Sequence, residues 1–322
     1  MTRLQMPDLP EKDSGKIRIL HTADWHLGRE FHGRDMSELH LEFFKWLAEQ
    51  IEARKIDLVL MAGDIYDRAL PPVSAISLFN EQMAKLSALA PFVMITGNHD
   101  STVRMSHGPL LREGIHLRSG IESIGEPVTF EEPFPLAVYP VPYLDPMTVA
   151  GQFDLDSTTH DAVIGEAVRR SLADLEAREG VRSIAIGHAF VTGAVTSESE
   201  RSIQVGGAED VSSTVFGGFD YVALGHLHRP QSVGDRVRYS GSPIPLSYSE
   251  VDGGAGKSVA VIELSADGSV EIETVDIPQL VRMGRISGEL DFLLDDDSLE
   301  DVKSDWLEVT RRWRGCAPAF QT

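Results

Sequence analysis

The sequence holds a single cysteine, Cys316, among 322 residues, which excludes an internal disulfide framework and any cysteine-built zinc module. It lacks any run of about 18 apolar residues, so no membrane-spanning helix is expected and no membrane partner. The opening MTRLQMPDLPEKDSGK has no apolar centre of the kind a signal peptide needs, and a cytoplasmic location is the expectation. Basic residues are scarce. There are 29 Lys and Arg against 50 Asp and Glu, a net charge of −21. Such a chain cannot attract a polyanion through its overall field. If nucleic acid is the substrate, metal ions, a local basic patch or a partner subunit must overcome the repulsion. Repeats and low-complexity tracts are also absent. What is present is ordinary for a globular protein: 42% hydrophobic and 25% charged residues, enough to exclude wholesale disorder.

Residues 1–15 are polar, with Pro7, Pro10 and Gly15, and read as a disordered leader. Beyond them, strands and helices alternate. Ile17 to Leu20, Leu58 to Met61 and Phe92 to Ile95 read as buried strands. Met36 to Arg54, with Leu39, Phe43, Leu47 and Ile51 on one face, and Val73 to Leu89 read as helices. Gly120 to Pro146 is rich in Pro and Glu and predicts short strands. A helix over His160 to Arg178 precedes strands at Ser183 to Gly187, Phe219 to Leu224 and Val237 to Ser240. A hairpin then joins Lys257–Leu264 to Ser269–Val275 across Ala266-Asp267-Gly268. This alternation predicts a layered α/β fold. After Pro278 the character changes: residues 289–305 carry eight acids and one lysine, while 311–322 carry three arginines and no acid. A boundary near 277–282 divides a main domain, 16–278, from a small unit, 279–322.

Five short polar motifs stand at the ends of expected strands. They are Asp24-Trp25-His26, Gly63-Asp64, Gly97-Asn98-His99-Asp100, Gly187-His188 and Gly225-His226-Leu227-His228. Loops at the carboxyl ends of strands are where open α/β sheets place their sites. Taken singly, each motif has a bland reading: Asp-x-His as a loop pair, Gly-Asp as a turn, Gly-His-x-His as two rings on one strand face. Five in succession, each after a strand, favour a common centre. Carboxylate, imidazole and amide oxygen without thiolate suit manganese, iron or zinc. Two Asp, one Asn and four His are too many ligands for one ion and suit two ions with a bridging carboxylate. Such a pair serves phosphoester hydrolysis and also offsets the charge of an anionic substrate.

This ordered set resembles the calcineurin-like metallophosphoesterase superfamily. Longer strings resemble its branch of double-strand-break repair nucleases, the SbcD family of bacterial SbcCD complexes. They are Ile19-Leu20-His21-Thr22-Ala23-Asp24-Trp25-His26-Leu27-Gly28, Tyr221-Val222-Ala223-Leu224-Gly225-His226-Leu227-His228 and Arg238-Tyr239-Ser240-Gly241-Ser242-Pro243-Ile244-Pro245-Leu246-Ser247. The resemblance spans roughly Lys16 to Leu290. It implies a four-layer α/β sandwich, two sheets flanked by helices, followed by a partial C-terminal cap. It also implies Asp24, His26 and His228 on one metal, Asp64 as the bridge, and Asn98, His188 and His226 on a second. His99 matches the catalytic histidine, and Asp100 would orient it or cap the next segment. The implied cofactors are two divalent ions, foremost Mn2+. The implied substrate is DNA, cut as exonuclease and endonuclease. The implied partner is an SbcC-like ATPase subunit, with a homodimer inside a heterotetramer.

Other features carry less. Arg29 and Arg34 follow the first motif, and Arg29 is the better candidate for a phosphate contact, against a solvated loop. His21, His32, His40, His107, His116 and His160 belong to no motif and are assigned to core or surface. Phe43, Phe44 and Trp46 at helical spacing are core and surface residues rather than a base-stacking platform. Asp295-Asp296-Asp297 lacks the alternation of a calcium loop and reads as a helix start. Trp306 to Thr310 reads as a strand of the cap. The basic Arg311 to Thr322 matches no family expectation, and the chain reads as ending inside the cap. Two other functions fit the same ligands: a stand-alone phosphoesterase on a small ester, and a catalytically weak regulatory subunit.

Overall fold

The structure, a computed structural model, describes residues 13, 15–106, 113–200, 210–251, 256–279, 281–295, 299 and 305–312. The expected leader, apart from Asp13 and Gly15, lies outside them, as do His107, Asp296, Asp297 and the tail from Trp313 with Cys316. Elements run in the order β1 (Lys16–Thr22), β2 (Glu30–Phe31), β3 (Arg34–Asp35), α1 (Ser37–Ala53), β4 (Leu58–Ala62), α2 (Val73–Leu86), β5 (Phe92–Ile95), α3 (Thr102–Ser106) and β6 (Ile115–Arg118). Next come β7 (Val128–Phe130), β8 (Leu136–Val141), α4 (Pro146–Val149), α5 (His160–Glu176), β9 (Arg182–His188), β10 (Tyr221–Gly225), β11 (Gln231–Val233) and β12 (Val237–Tyr239). The described part closes with β13 (Ser258–Ser265), β14 (Val270–Asp276), β15 (Met283–Gly288), α6 (Leu290–Asp295) and β16 (Trp306–Arg311).

Two six-stranded sheets result, ordered β14-β13-β1-β4-β5-β6 and β11-β12-β10-β9-β8-β7. Strands β1, β4, β5 and β6 run parallel, as do β8, β9, β10 and β12, with antiparallel strands outside them. Their continuous apolar runs are explained by burial on both faces. Between the sheets pack Ile19, Leu60, Val93, Val138, Ile186 and Ala223. On the outer face of the first sheet lie Phe43, Phe44 and Leu47 of α1 and Phe79 and Met83 of α2. On the outer face of the second lie Val163, Ile164 and Ala167 of α5. Helix, sheet, sheet, helix: the four-layer architecture implied by the sequence is present.

A smaller cluster joins the C-terminal strands to this body. Phe31, Met36, Ile244, Leu246, Tyr248 and Met283 bury one another, with Trp306 packed alongside. Trp306 stacks on Phe31 at 5.5 Å, and the Arg34 guanidinium lies 4.8 Å from the Trp306 ring. Arg34 is therefore spent on packing. Strand β16 pairs in parallel with β15, matching the strand expected over Trp306 to Thr310. Asp295 ends α6, and the rest of the run expected to start a helix lies outside the described residues.

Candidate metal centre

Parallel strands of both sheets end at one rim. There the loops after β1, β4 and β5 face those after β9 and β10. His226 N–H donates to Asp24 Oδ1 at 2.9 Å, and His188 Nδ1–H donates to the Ala62 carbonyl at 2.9 Å, so each bond joins one sheet to the other. The approach demands glycine. A Cβ on Gly97 would strike the Asp64 carboxylate, and one on Gly225 would strike the Ala62 carbonyl. The backbone is bent further at the polar residues themselves. Asp24, His26, Asp64 and His226 have φ of 55°, 47°, 54° and 99°, four of the seven non-glycine residues in the left-handed region among those described. Backbone strain of this kind collects at functional sites.

All seven side chains read from the sequence as ligands converge there, six buried and Asn98 half-buried. Asp24, His26 and His228 each bring one donor atom within 4.8 Å of the others, and so do Asp24, Asp64 and His188. With Nδ1 committed to Ala62, His188 turns Nε2 to Asn98 Oδ1 at 3.0 Å and to Asp64 Oδ2 at 3.5 Å. His226 Nδ1 reaches the same Asn98 oxygen at 3.2 Å. His26 Nε2 lies 3.2 Å from His228 Nε2 and 3.6 Å from Asp64 Oδ2. Two imidazole nitrogens aimed at each other, beside a buried Asp24 Oδ2 with no hydrogen-bond partner, suit a shared cation better than a hydrogen-bond network.

The electrostatics agree. Burial, with Asp64 alongside, pushes the Asp24 carboxyl up to about 7, against the pull of His188 and His228. Burial opposes ionisation of Asp64 as well, yet His188, His26 and His99 hold it well below the usual range. His188 is raised to about 9, because Asp64 and Asp24 outweigh the effect of burial. A proton on His188 thus balances two buried carboxylates, and a divalent cation can do so more completely.

His99 occupies a distinct position. Its Nδ1–H donates to the Asp67 carbonyl at 2.7 Å, and Nε2 lies 3.9 Å from Asp64 Oδ2. With His26 and Asp64 it forms a third group within 4.8 Å, so coordination is also within its reach. Asp100, expected to orient His99 or cap the next segment, does something else. Its carboxylate accepts from Gly97, Ile65 and Tyr66 N–H groups at 2.9, 3.1 and 2.9 Å, clamping the β4 loop to the β5 loop. Arg29, the candidate phosphate contact, donates to Asp67 Oδ1 at 2.9 Å and keeps 24% of its side chain exposed.

Two carboxylates behind the centre escaped sequence reading. Asp67 Oδ1 lies 3.5 Å from His26 Nδ1, and Glu250 Oε1 lies 3.5 Å from His228 Nδ1. Carboxylates beside metal-binding imidazoles commonly fix the ring and raise its basicity. No sequence signal marks either one, since Asp67 follows an ordinary turn and Glu250 stands 22 positions beyond its histidine. The unassigned histidines divide between core and surface. His40 Nε2–H donates to the Trp25 carbonyl at 2.6 Å, steadying the first motif. His21 bridges the sheets, with Nδ1 3.0 Å from the Tyr221 hydroxyl and Nε2 3.2 Å from the Leu224 carbonyl. His160 is buried, His116 half-buried and His32 exposed. Among the described residues no helix is long and apolar enough to cross a membrane.

Comparison with known proteins bears on this centre. The family described as Calcineurin-like phosphoesterase matches residues 17–230, which include all five motifs. A solved structure described as "GAP50 the anchor in the inner membrane complex of Plasmodium" aligns over 82% of this chain and 90% of its own at 11% identity, TM-score 0.44. One described as "Structural and Functional Characterization of a Novel Archaeal Phosphodiesterase" aligns over 80% and 100% at 11% identity, TM-score 0.35. With the family matched over most of the sandwich and its ligand types gathered at one rim, the chain belongs to the calcineurin-like phosphoesterases, metal-dependent hydrolases of phosphoesters.

Proposed function

We propose that this protein hydrolyses phosphodiester bonds in DNA, as the SbcD-like nuclease subunit of a cytoplasmic repair complex with an SbcC-like ATPase. The observation that carries the hydrolytic reading is the convergence of Asp24, His26, Asp64, Asn98, His188, His226 and His228 from five strand ends. DNA as substrate is supported by the strings flanking those ligands in the sequence. Asp24, His26 and His228 would hold one ion, Asn98, His188 and His226 a second, and Asp64 both, with Mn2+ the foremost candidate. When bound, such ions draw charge from the phosphate and make water a stronger nucleophile. The chain's own part is then clear. Asp24 and Asp64 fix the position of positive charge. His99, its Nδ1 proton held by the Asp67 carbonyl, can give a proton to the leaving oxygen only from Nε2, and so acts as the imidazolium. Arg29 stands on the same rim as a phosphate contact.

At a net charge of −21 the chain needs a partner's basic surface to hold duplex DNA. A second copy is the other partner in this reading. Leu70, Pro71, Ile76, Phe79 and Met105 line one cavity, with Leu70 and Ile76 exposed, which offers apolar surface for it, and sedimentation of the isolated chain checks the dimer. The deciding experiment incubates the chain with Mn2+ and linear duplex DNA, with and without an SbcC-like ATPase, beside a small phosphodiester. DNA cleavage that rises with the partner is expected. Cleavage of the small diester alone, with DNA untouched even beside the partner, would replace this reading with the small-ester phosphoesterase. Cleavage of neither would leave the regulatory subunit.

A further inference from the structure

We propose that Glu250, acting through Ser199, is a positioning residue that fixes the proton of His228 on Nδ1 and so presents Nε2 to a cation. This rests on the reading of His228 as a metal ligand. The string from Arg238 to Ser247 contains none of the metal ligands, yet it folds around this glutamate.

Glu250 is 1% exposed and Lys257 is 6% exposed, and the two form an ion pair. The ammonium group has three protons and three acceptors: the Glu250 carboxylate, the His228 carbonyl at 2.8 Å and Ser242 Oγ at 2.8 Å. Glu250 Oε2 also accepts from Ser242 Oγ at 3.3 Å and from Leu246 N–H at 3.2 Å. Oε1 accepts from the Ser247 hydroxyl at 3.2 Å and from the Ser199 hydroxyl. Ser199 Oγ lies 2.6 Å from His228 Nδ1. A serine hydroxyl has one proton. Given to the carboxylate, it leaves the oxygen as an acceptor, and the Nδ1 side of His228 must then be the donor. The relay therefore runs from His228 Nδ1–H to Ser199, and from Ser199 O–H to Glu250.

The backbone of His228 is held as firmly. Its N–H donates to Glu200 Oε1 at 2.9 Å, and its carbonyl accepts from Ser242 N–H at 3.1 Å as well as from Lys257. Every polar group of His228 is thus assigned except Nε2, which points at His26 Nε2. A buried ion pair is by itself a weak stabiliser, because desolvation cancels most of the attraction. Its placement behind a single imidazole is what indicates a role in the centre.

The test uses the full chain with three readouts: circular dichroism for folding, Mn2+ titration calorimetry, and ring 15N spectra of histidine-labelled, cation-free protein in alkaline buffer. In the wild type His228 should show the Nδ1–H tautomer. Glu250→Gln should weaken Mn2+ binding by about 10–100-fold, as loss of such a support typically does, and should shift His228 toward the Nε2–H form preferred by a free ring. Ser199→Ala leaves the ion pair intact, should stay folded, and should move both readouts in the same direction; it decides the matter if Glu250→Gln fails to fold. A His228 tautomer unchanged in folded Ser199→Ala, or wild-type Mn2+ affinity in both variants, overturns the proposal. A wild-type chain that binds no cation defeats the metal reading instead, while the tautomer spectra still decide what Glu250 does.

Discussion

The two halves of the centre are chemically unequal. The first sheet supplies both carboxylates, the amide and two of the imidazoles, from the loops after β1, β4 and β5. The second sheet supplies only imidazoles, His188 at the end of β9 and His226 and His228 after β10. The formal negative charge available to a cation is thus concentrated on one side, and in the proposed reading the other would complete the coordination with neutral donors. In the proposed assignment each ion takes ligands from both sides, so a bound ion would also cross-link the sheets.

The largest effect should come from the carboxylate side. Asp64→Asn removes one charge from the middle of the centre, and hydrolysis should fall to background with both ions weakened in calorimetry. Activity close to wild type with two tightly bound ions would show that the charge is not concentrated as described.

His99 sharpens the comparison, since it belongs to the carboxylate side yet is assigned a proton rather than a metal. His99→Ala should keep both ions and lose roughly 10²–10⁴-fold in turnover. His188→Ala, on the imidazole side, should lose an ion as well. Metal content by atomic spectroscopy, read beside turnover, separates the two. Loss of an ion in His99→Ala would make the third group, with His26 and Asp64, a coordinating one.

If ions cross-link the sheets, they must also stabilise them. Saturation to about 100 times the dissociation constant adds about 2.7 kcal/mol per site. Chelation should therefore lower the melting temperature by several degrees in the wild type and by much less in Asp64→Asn. An equal drop in both would place the stabilising ion elsewhere.

The smallest effect concerns His21, the histidine that spans the two sheets without taking part in the centre. Burial, with Arg238 nearby, lowers it to about 3. The unfolded chain takes up that proton near 6.5, so the folded state is disfavoured wherever unfolded His21 is charged and folded His21 is not. Its contribution is complete above about pH 6.5 and declines by roughly 1 kcal/mol per pH unit as pH falls toward 3. Denaturant midpoints measured across this range should show the slope in the wild type and a flatter curve in His21→Gln.

The strand ends that carry the ligands were legible because an apolar run closing on glycine and a polar residue has few other readings. Strand β8 was not. Pro140 sits inside it, and proline within an apolar run argues against a central strand. The fold tolerates it because β7 pairs with β8 only over Leu136–Val138, so at Pro140 one side carries no ladder. Asp67 and Glu250 were illegible for another reason. Their partners, Arg29 and His26, and His228 and Lys257, meet them through tertiary packing that no local spacing encodes. Asp100 was visible as a motif member, but its backbone clamp depends on how closely two loops approach.

The left-handed backbone at Asp24, His26, Asp64 and His226 limits what mutation can explore. Asparagine and aspartate visit that region readily, whereas most other residues meet a steric cost of roughly 1–2 kcal/mol there. An Asp-to-Asn exchange at position 24 or 64 is therefore a clean probe, altering charge while the loop keeps its path. Alanine or valine at the same positions mixes lost chemistry with a loosened turn. Chance substitution faces the same double penalty, failing once in charge and once in backbone. The centre is insulated from gradual drift, and change at this rim should arise more readily in the side chains behind the ligands than in the ligands themselves.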